Sequence, residues 1–246
     1  MVDIHSHLLP GLDDGPRTMD DSLRMCEQYL EQGVSTVVAT PHMCDRRYKV
    51  TPDAVRAGVA ELSAACAKRG LGLQILPGGD VHLEPELLDA WDRGELLTLA
   101  DRGKYLLLEL PRQTAPRIDG LIFQLSLRGI TAILSHPERN MELWRKPGLL
   151  ADLVARGCRV QVTADSLLGR FGAVAQYSAE WFLKAQLVHV VASDAHSPQG
   201  RKPEFGPAAD HLRALVGKKR TQELLQENPA RVVRGETLEV TTPGPV

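Results

Sequence analysis

The opening stretch MVDIHSHLLPGLDDGP places His5 and His7 two residues apart behind a short apolar run, with Asp13 and Asp14 in a glycine-flanked turn beyond them. Residues at i and i+2 of a strand point to the same side, so both imidazoles can reach one ion. Asp194 and His196, in VASDAHS, repeat that spacing. Between them come His42 in ATPHM, Asp80 in PGGDVH, Glu109 in LLLELP and His136 in LSHPERN. Imidazole and carboxylate donors together suit Mn, Fe, Co or Zn. Five histidines and three carboxylates, with Asp14 a possible ninth donor, exceed what one ion takes, since a tetrahedral ion needs only about four. Such a set fits two or three ions with some donors shared. Taken alone, Glu109 is ambiguous, but an ionised carboxylate in an apolar run needs a cationic partner. The remaining histidines, His82, His189 and His211, read as ordinary hydrogen-bonded residues; His82, two past Asp80, is the candidate exception.

These donors need elements that gather them. Apolar runs at 2–5, 35–40, 73–78, 105–110, 131–136, 159–164 and 188–193 read as strands buried on both faces. Helical patterns alternate with them. TMDDSLRMCEQYLEQG has Thr18 as a cap and Gly33 as a stop, and TPDAVRAGVAELSAACAKRG has Thr51, Pro52 and Gly70 in the same roles. Further helices are expected at 85–96, 117–129, 147–157 and 173–186. Repeated βα units imply a parallel sheet. About seven strands suggest an α/β fold, a TIM-like barrel one strand short of eight. The donors lie at or near the C-terminal ends of those strands, the face on which such barrels build their sites.

Bulk properties narrow the classes. The chain has 246 residues, 43% hydrophobic and 24% charged, with a formal net charge of −2, an ordinary globular composition with no bulk charge for nucleic acid. No apolar run has the length of about 18 to 20 residues that a spanning helix needs, and MVDIHSHLLP lacks the basic start of a secretory signal. A cytoplasmic, non-membrane-embedded protein is expected. The cysteines Cys26, Cys44, Cys66 and Cys158 are scattered, with no C-x-x-C pair and no cysteine–five-residue–arginine loop. They read as reduced packing residues, which excludes a cysteine-nucleophile phosphatase. No composition break divides the chain, so residues 1–235 are expected to form one catalytic domain, and the polar 236–246 a flexible tail or surface strap.

Together, DIHSHLLPGLDDGP, ATPHM, YLLLELP, SHPERN and SDAHS resemble the polymerase-and-histidinol-phosphatase (PHP) superfamily. More narrowly, they resemble the bacterial CpsB-type tyrosine-protein phosphatases of capsule and exopolysaccharide loci. The likeness runs in order over about residues 1 to 235. It implies a distorted (β/α)7 barrel with a three-metal site, Mn being the first choice and Fe, Zn or Co alternatives. By motif, His5 and His7 would share one ion with Asp194 and a bridging Asp80. Glu109 and His136 would complete the second, and Asp14, His42 and His196 would hold the third. The bridging position is usually glutamate, and here the shorter Asp80 must be served by a closer backbone, which Gly78 and Gly79 permit.

The implied reaction is hydrolysis of a phosphotyrosine ester by a hydroxide bridging two ions. Arg139 and Arg201 match family arginines that bind phosphate, which a guanidinium fork suits. Arg46, in CDRRYK after His42, is the candidate for a basic collar that draws in an anionic phosphopeptide. The implied partner is the phosphotyrosine tail of a membrane-associated tyrosine kinase that controls polysaccharide export. Rival readings are a histidinol-phosphatase-like or nuclease-like phosphoesterase on the same metals, or a degenerate binding module, for which only the aspartate at position 80 speaks. An amidohydrolase would usually carry a metal-bridging lysine, and no lysine sits at a suitable strand end.

Overall fold

The computed structural model describes residues 1–238. Nine strand segments occur among them: β1 (Val2–Ser6), β2 (Thr36–Ala39), β3 (His42–Met43), β4 (Gln74–Pro77), β5 (Asp80–His82), β6 (Tyr105–Glu109), β7 (Thr131–Ser135), β8 (Arg159–Thr163) and β9 (Val190–Ala192). All pair in parallel, in the orders β1-β2-β4 and β3-β5-β6-β7-β8-β9. The seven strands expected from the apolar runs are all present. The short β3 and β5 continue β2 and β4 past two breaks. At Pro41 the chain has no N–H to give the ladder, and Gly78–Gly79 interrupts the other. A Cβ on Gly78 would lie 2.7 Å from Val38 Cγ1, and one on Gly79 would overlap the side chain of Met43. The two glycines therefore let this strand press against its neighbour.

The seam between β1 and β9 closes the barrel. It has one bridge, Ser6 with Ala195, and the bonds Asp194 N–H to His5 O and His7 N–H to Ala195 O, each 2.8 Å. Side chains reinforce this sparse ladder. Asp3 accepts from the main-chain N–H of Ser193 at 3.2 Å, from its hydroxyl at 2.5 Å and from Tyr29 Oη at 2.8 Å. Burial pushes the Asp3 carboxyl up to about 6, against the pull of those donors.

Alternation along the strands makes two cores. Ile4, Val38, Leu107, Ile133 and Val190 fill the barrel, while Val37, Leu106, Leu108, Leu134 and Val160 face the helices. Among the described residues ten α-helices wrap it: α1 (Met19–Glu31), α2 (Pro52–Lys68), α3 (Leu87–Asp92), α4 (Asp119–Leu127), α5 (Met141–Arg145), α6 (Gly148–Ala155), α7 (Ala164–Leu167), α8 (Ala173–Lys184), α9 (Gly206–Gln222) and α10 (Asn228–Arg234). Thr18 and Thr51 cap α1 and α2 by accepting from the N–H three residues on, both at 3.2 Å. The short α5 and α7 and the C-terminal α9 and α10 were not among the expected helices.

At the floor, Val232 of α10 joins the inner core with Leu99, Tyr105 and Leu238. Tyr105 Oη donates to Glu236 O at 2.7 Å and accepts from Leu238 N–H at 2.9 Å. Residues 236–238 are thus strapped across the barrel floor. The rest of the expected tail, 239–246, lies outside the described residues.

Candidate metal centre

All nine candidate donors converge at the C-terminal mouth of the barrel. The first strand does this with an irregularity. Its register against β2 runs from Asp3–Val37 to Ser6–Ala39, three residues against two. Such a bulge re-aims side chains, and here Ile4 and His5 both turn inward, with His7 following. His42 and Asp80 are direct cross-strand partners, as are His82 and Glu109. His136 and Asp194 lie just past β7 and β9 in left-handed backbone, at φ 34° and 53°. Non-glycine residues hold that conformation at a cost of about 1–3 kcal/mol, repaid only by their surroundings.

The donor atoms are close but poorly bonded to one another. His5 Nε2 lies 3.3 Å from Asp194 Oδ1 and 3.6 Å from Asp80 Oδ2. His42 Nδ1 lies 3.5 Å from Asp80 Oδ2 and 3.4 Å from Glu109 Oε2. Asp14 Oδ1 is 3.5 Å from His42 Nε2 and 3.4 Å from His196 Nε2, and His136 Nε2 is 3.6 Å from Glu109 Oε1. These spacings exceed those of good hydrogen bonds. Two donors at about 2.1 Å from one tetrahedral ion lie about 3.4 Å apart, so the spacing is that of shared ligands. Groups whose donors fall within 4.8 Å of one another include His7–Asp14–His42–His196, His5–His7–Asp80 and Asp80–Glu109–His136.

Buried atoms without partners make the same point. Both Asp80 oxygens and His42 Nδ1 have no hydrogen-bond partner. Burial, then the neighbouring Glu109, push the Asp80 carboxyl well up. Burial drives His5 down to about 3, His42 down to about 4 and His136 well below the usual range. Neutral imidazole is the ligating form. A cation answers all of these at once, accepting the lone pairs and offsetting the negative charge.

The outer nitrogens are already held, which fixes the tautomer and aims Nε2 inward. His5 Nδ1 meets Gln161 Oε1 at 2.9 Å, His7 Nδ1 meets Asp13 Oδ2 at 2.6 Å, and His196 Nδ1 meets Asp194 O at 2.9 Å. Burial opposes charge on His7, but Asp13 and Asp194 outweigh it and raise its pKa well above the ordinary value. Asp13 also accepts from the N–H of Gly15 and His42 at 2.9 and 3.0 Å, tying the ligand loop to β3. Asp13 and Gln161 were not anticipated. Gln161 did carry a signal, as an amide between two valines of a fully buried strand. His82 belongs to the cluster as well: its Nε2 is 2.5 Å from Glu109 Oε2 and 3.3 Å from Asp45 Oδ2. The two-residue rule that pairs His5 with His7 also pairs it with Asp80.

A cavity of about 490 Å³ opens above these residues, with Arg139 and Arg201 in its wall. Arg139 Nη2 donates to Asp194 Oδ2 and, at 2.5 Å, to Thr163 Oγ1. Arg201 Nη2 donates to Asp194 Oδ2 at 2.5 Å. Both guanidiniums stack on one ring, with Cζ 3.9 and 5.4 Å from the Phe171 centroid. Glu138 does not pair with Arg139; it accepts instead from Thr163 N–H and Ser166 Oγ at 3.0 and 2.7 Å. Arg46 is misplaced for the collar expected of it. Its side chain is 80% exposed, reaches Glu84 at 3.3 Å and does not line the cavity. Arg47 and Arg112 form that part of the wall, Arg47 being turned by its fork onto Asp45. No cysteine or lysine lines the cavity.

A parallel barrel with an imidazole–carboxylate cage at its C-terminal mouth defines a metal-site hydrolase of the PHP kind. The chain belongs to the CpsB/CapC family of capsular polysaccharide synthesis, whose model matches residues 1–234. It is 36% identical to the tyrosine-protein phosphatase YwqE of Bacillus subtilis, over 100% of this chain and 96% of that protein. It also matches a solved structure from work on YwqE and on CpsB of Streptococcus pneumoniae, described as metal-dependent tyrosine phosphatases. That match has a TM-score of 0.95 and 35% identity, over 100% of this chain and 99% of the other. An organophosphorus hydrolase variant, at 14% identity and TM-score 0.60 over 94% and 92% of the two chains, shares the fold alone.

Proposed function

We propose that this chain is a metal-dependent protein-tyrosine phosphatase. Its substrate is the phosphotyrosine tail of a membrane-associated tyrosine kinase of polysaccharide export, reached from the cytoplasm. The observation that carries the reading is the set of buried, unbonded donor atoms at ligand spacing beneath two arginines. Residues 1–235 act as one catalytic unit.

His5, His7, Asp80 and Asp194 would hold one ion, Asp80, Glu109 and His136 a second, and Asp14, His42 and His196 a third, with Mn the first choice. When bound, such ions neutralise phosphate oxygens and lower the pKa of water. The protein does the rest. Asp13, Gln161 and the Asp194 carbonyl keep the imidazoles turned inward. Arg139 and Arg201 present forks to the phosphate, where charge-assisted bonds are strong and directional. Phe171 holds the two forks side by side. Phenolate leaves readily, so a tyrosine ester makes less demand for a general acid than a serine ester.

The test is hydrolysis by one purified sample, with metal content measured, on a phosphotyrosyl peptide, histidinol phosphate and single-stranded DNA. Mn, Co and Zn are supplied in turn. Metal-dependent turnover of the peptide above the other two is expected. Preference for histidinol phosphate or DNA would move the chain to another branch of the superfamily, and a metal-loaded but inert protein would make it a binding module.

A further inference from the structure

The cavity wall is almost wholly charged or imidazole-bearing; its apolar lining is Leu110 and Pro111, directly after Glu109. Pro111 is exposed and belongs also to a second cavity, of about 530 Å³. That second cavity is mainly apolar, with Glu84, Arg117 and Gln124 also in its lining. Leu83, Leu87 and Leu88 line it from the segment after β5, and Ile118, Leu121 and Phe123 from the start of α4, Leu87 and Ile118 being buried. The Phe123 ring is 59% exposed. The loops that frame the groove are those that follow Asp80–His82 and Glu109, so catalytic cavity and groove are neighbours on one continuous surface.

We propose that this groove is a substrate subsite, taking an apolar side chain that lies within about two residues of the phosphotyrosine in an extended phosphopeptide. The inference rests on the phosphatase reading. With its phosphate among the arginines, the tyrosine ring has Leu110 and Pro111 as the apolar surface to lie on. The peptide main chain then leaves across Pro111. An extended chain advances about 3.3 Å per residue and turns alternate side chains to opposite faces, so a near neighbour of the tyrosine is delivered to the groove. Its occupant is apolar because the groove is. Burying such a side chain in a half-open groove corresponds to about a tenfold gain in kcat/KM.

The experiment uses the full-length, metal-loaded chain and phosphotyrosyl peptides that differ only in Leu or Ser at each of the two positions on either side of the tyrosine. A small chromogenic phosphate ester is run alongside. At least one Leu peptide is expected to exceed its Ser counterpart about tenfold in kcat/KM, and Phe123→Ser or Leu88→Ser should bring that ratio close to one. Equal rates for all peptides would overturn the subsite while leaving the phosphatase reading intact. So would a ratio unchanged in both variants, or a dimer in sedimentation that Phe123→Ser abolishes, since the groove would then be covered by a second copy. Failure to turn over the chromogenic ester or any peptide would instead remove the phosphatase reading itself.

Discussion

The mouth and the floor of this barrel both bury ionisable side chains, and they treat them differently. At the floor, Arg159 gives its guanidinium N–H groups to the carbonyls of Gly157, Cys158 and Leu238 at 3.0 to 3.2 Å. Tyr105 is bonded to main chain in both directions, and His189 Nδ1 accepts from Val160 N–H at 3.2 Å. Each floor group meets at least one backbone partner, although Arg159 Nε and His189 Nε2 have none of their own. At the mouth, Asp80 meets none, and carboxylates stand beside imidazoles at 3.3 to 3.6 Å with left-handed ligand residues among them. Buried polar groups are normally satisfied, so unsatisfied ones mark where stability has been given up for chemistry.

The largest effect that can break this contrast comes from Asp80→Asn, which keeps shape and removes one charge. Turnover of a phosphotyrosyl peptide should fall on the order of a thousandfold, because a shared ligand is lost. Without metal, the variant should nonetheless be more stable than the parent by about 1–2 kcal/mol, since an unpartnered buried charge is gone. Urea unfolding with and without a divalent ion reads both sides. The parent should gain about 2.7 kcal/mol at an ion concentration of a hundred times Kd, and the variant much less. A metal-free variant weaker than the parent would show that the mouth is not the strained region.

Arg139→Ala should come next. Its guanidinium neutralises Asp194 but supplies no donor to an ion, so metal content should be retained. A cationic donor aimed at developing charge is worth about a hundredfold to a thousandfold in kcat. Elemental analysis and kinetics on one sample separate the two roles: loss of metal would make Arg139 a support of the cage, and full turnover would remove it from the reaction.

What was readable in the sequence follows the same division. The seven strands, the two threonine caps and the gathering of candidate donors at the strand ends were legible because each follows from a local rule: buried runs, cap chemistry, and placement at strand ends. What stayed hidden depends on neighbours. The β1 bulge that turns both Ile4 and His5 inward is a register fact between two strands. The choice of Arg47 over Arg46 is made by Asp45, two residues before Arg47. Phe171 matters through two arginines, one 32 and the other 30 positions away in sequence. His82 obeys a rule already in use, which is why it stood as the candidate exception among histidines that are otherwise so often structural.

The smallest predicted effect sharpens the floor side. His189 is driven down to about 3, first by burial and then by the charges of Arg159 on β8 and Arg220 on α9. Its folded form is therefore neutral while the unfolded chain takes a proton near pH 6.5. Below that pH the unfolded state binds more protons than the folded one, so stability is full above about 6.5 and declines as pH falls toward 3. The decline from this one group is about 2–3 kcal/mol by pH 4.5. His189→Gln keeps an acceptor for Val160 N–H and removes the titration, so its stability should fall less steeply than the parent's between pH 6.5 and 4.5. The mouth histidines add the same slope to both proteins, and the difference between the two curves cancels them. Superimposable acid limbs, measured by urea unfolding in chelator, would mean that His189 is charged in the folded barrel and that the floor, like the mouth, harbours an uncompensated ion.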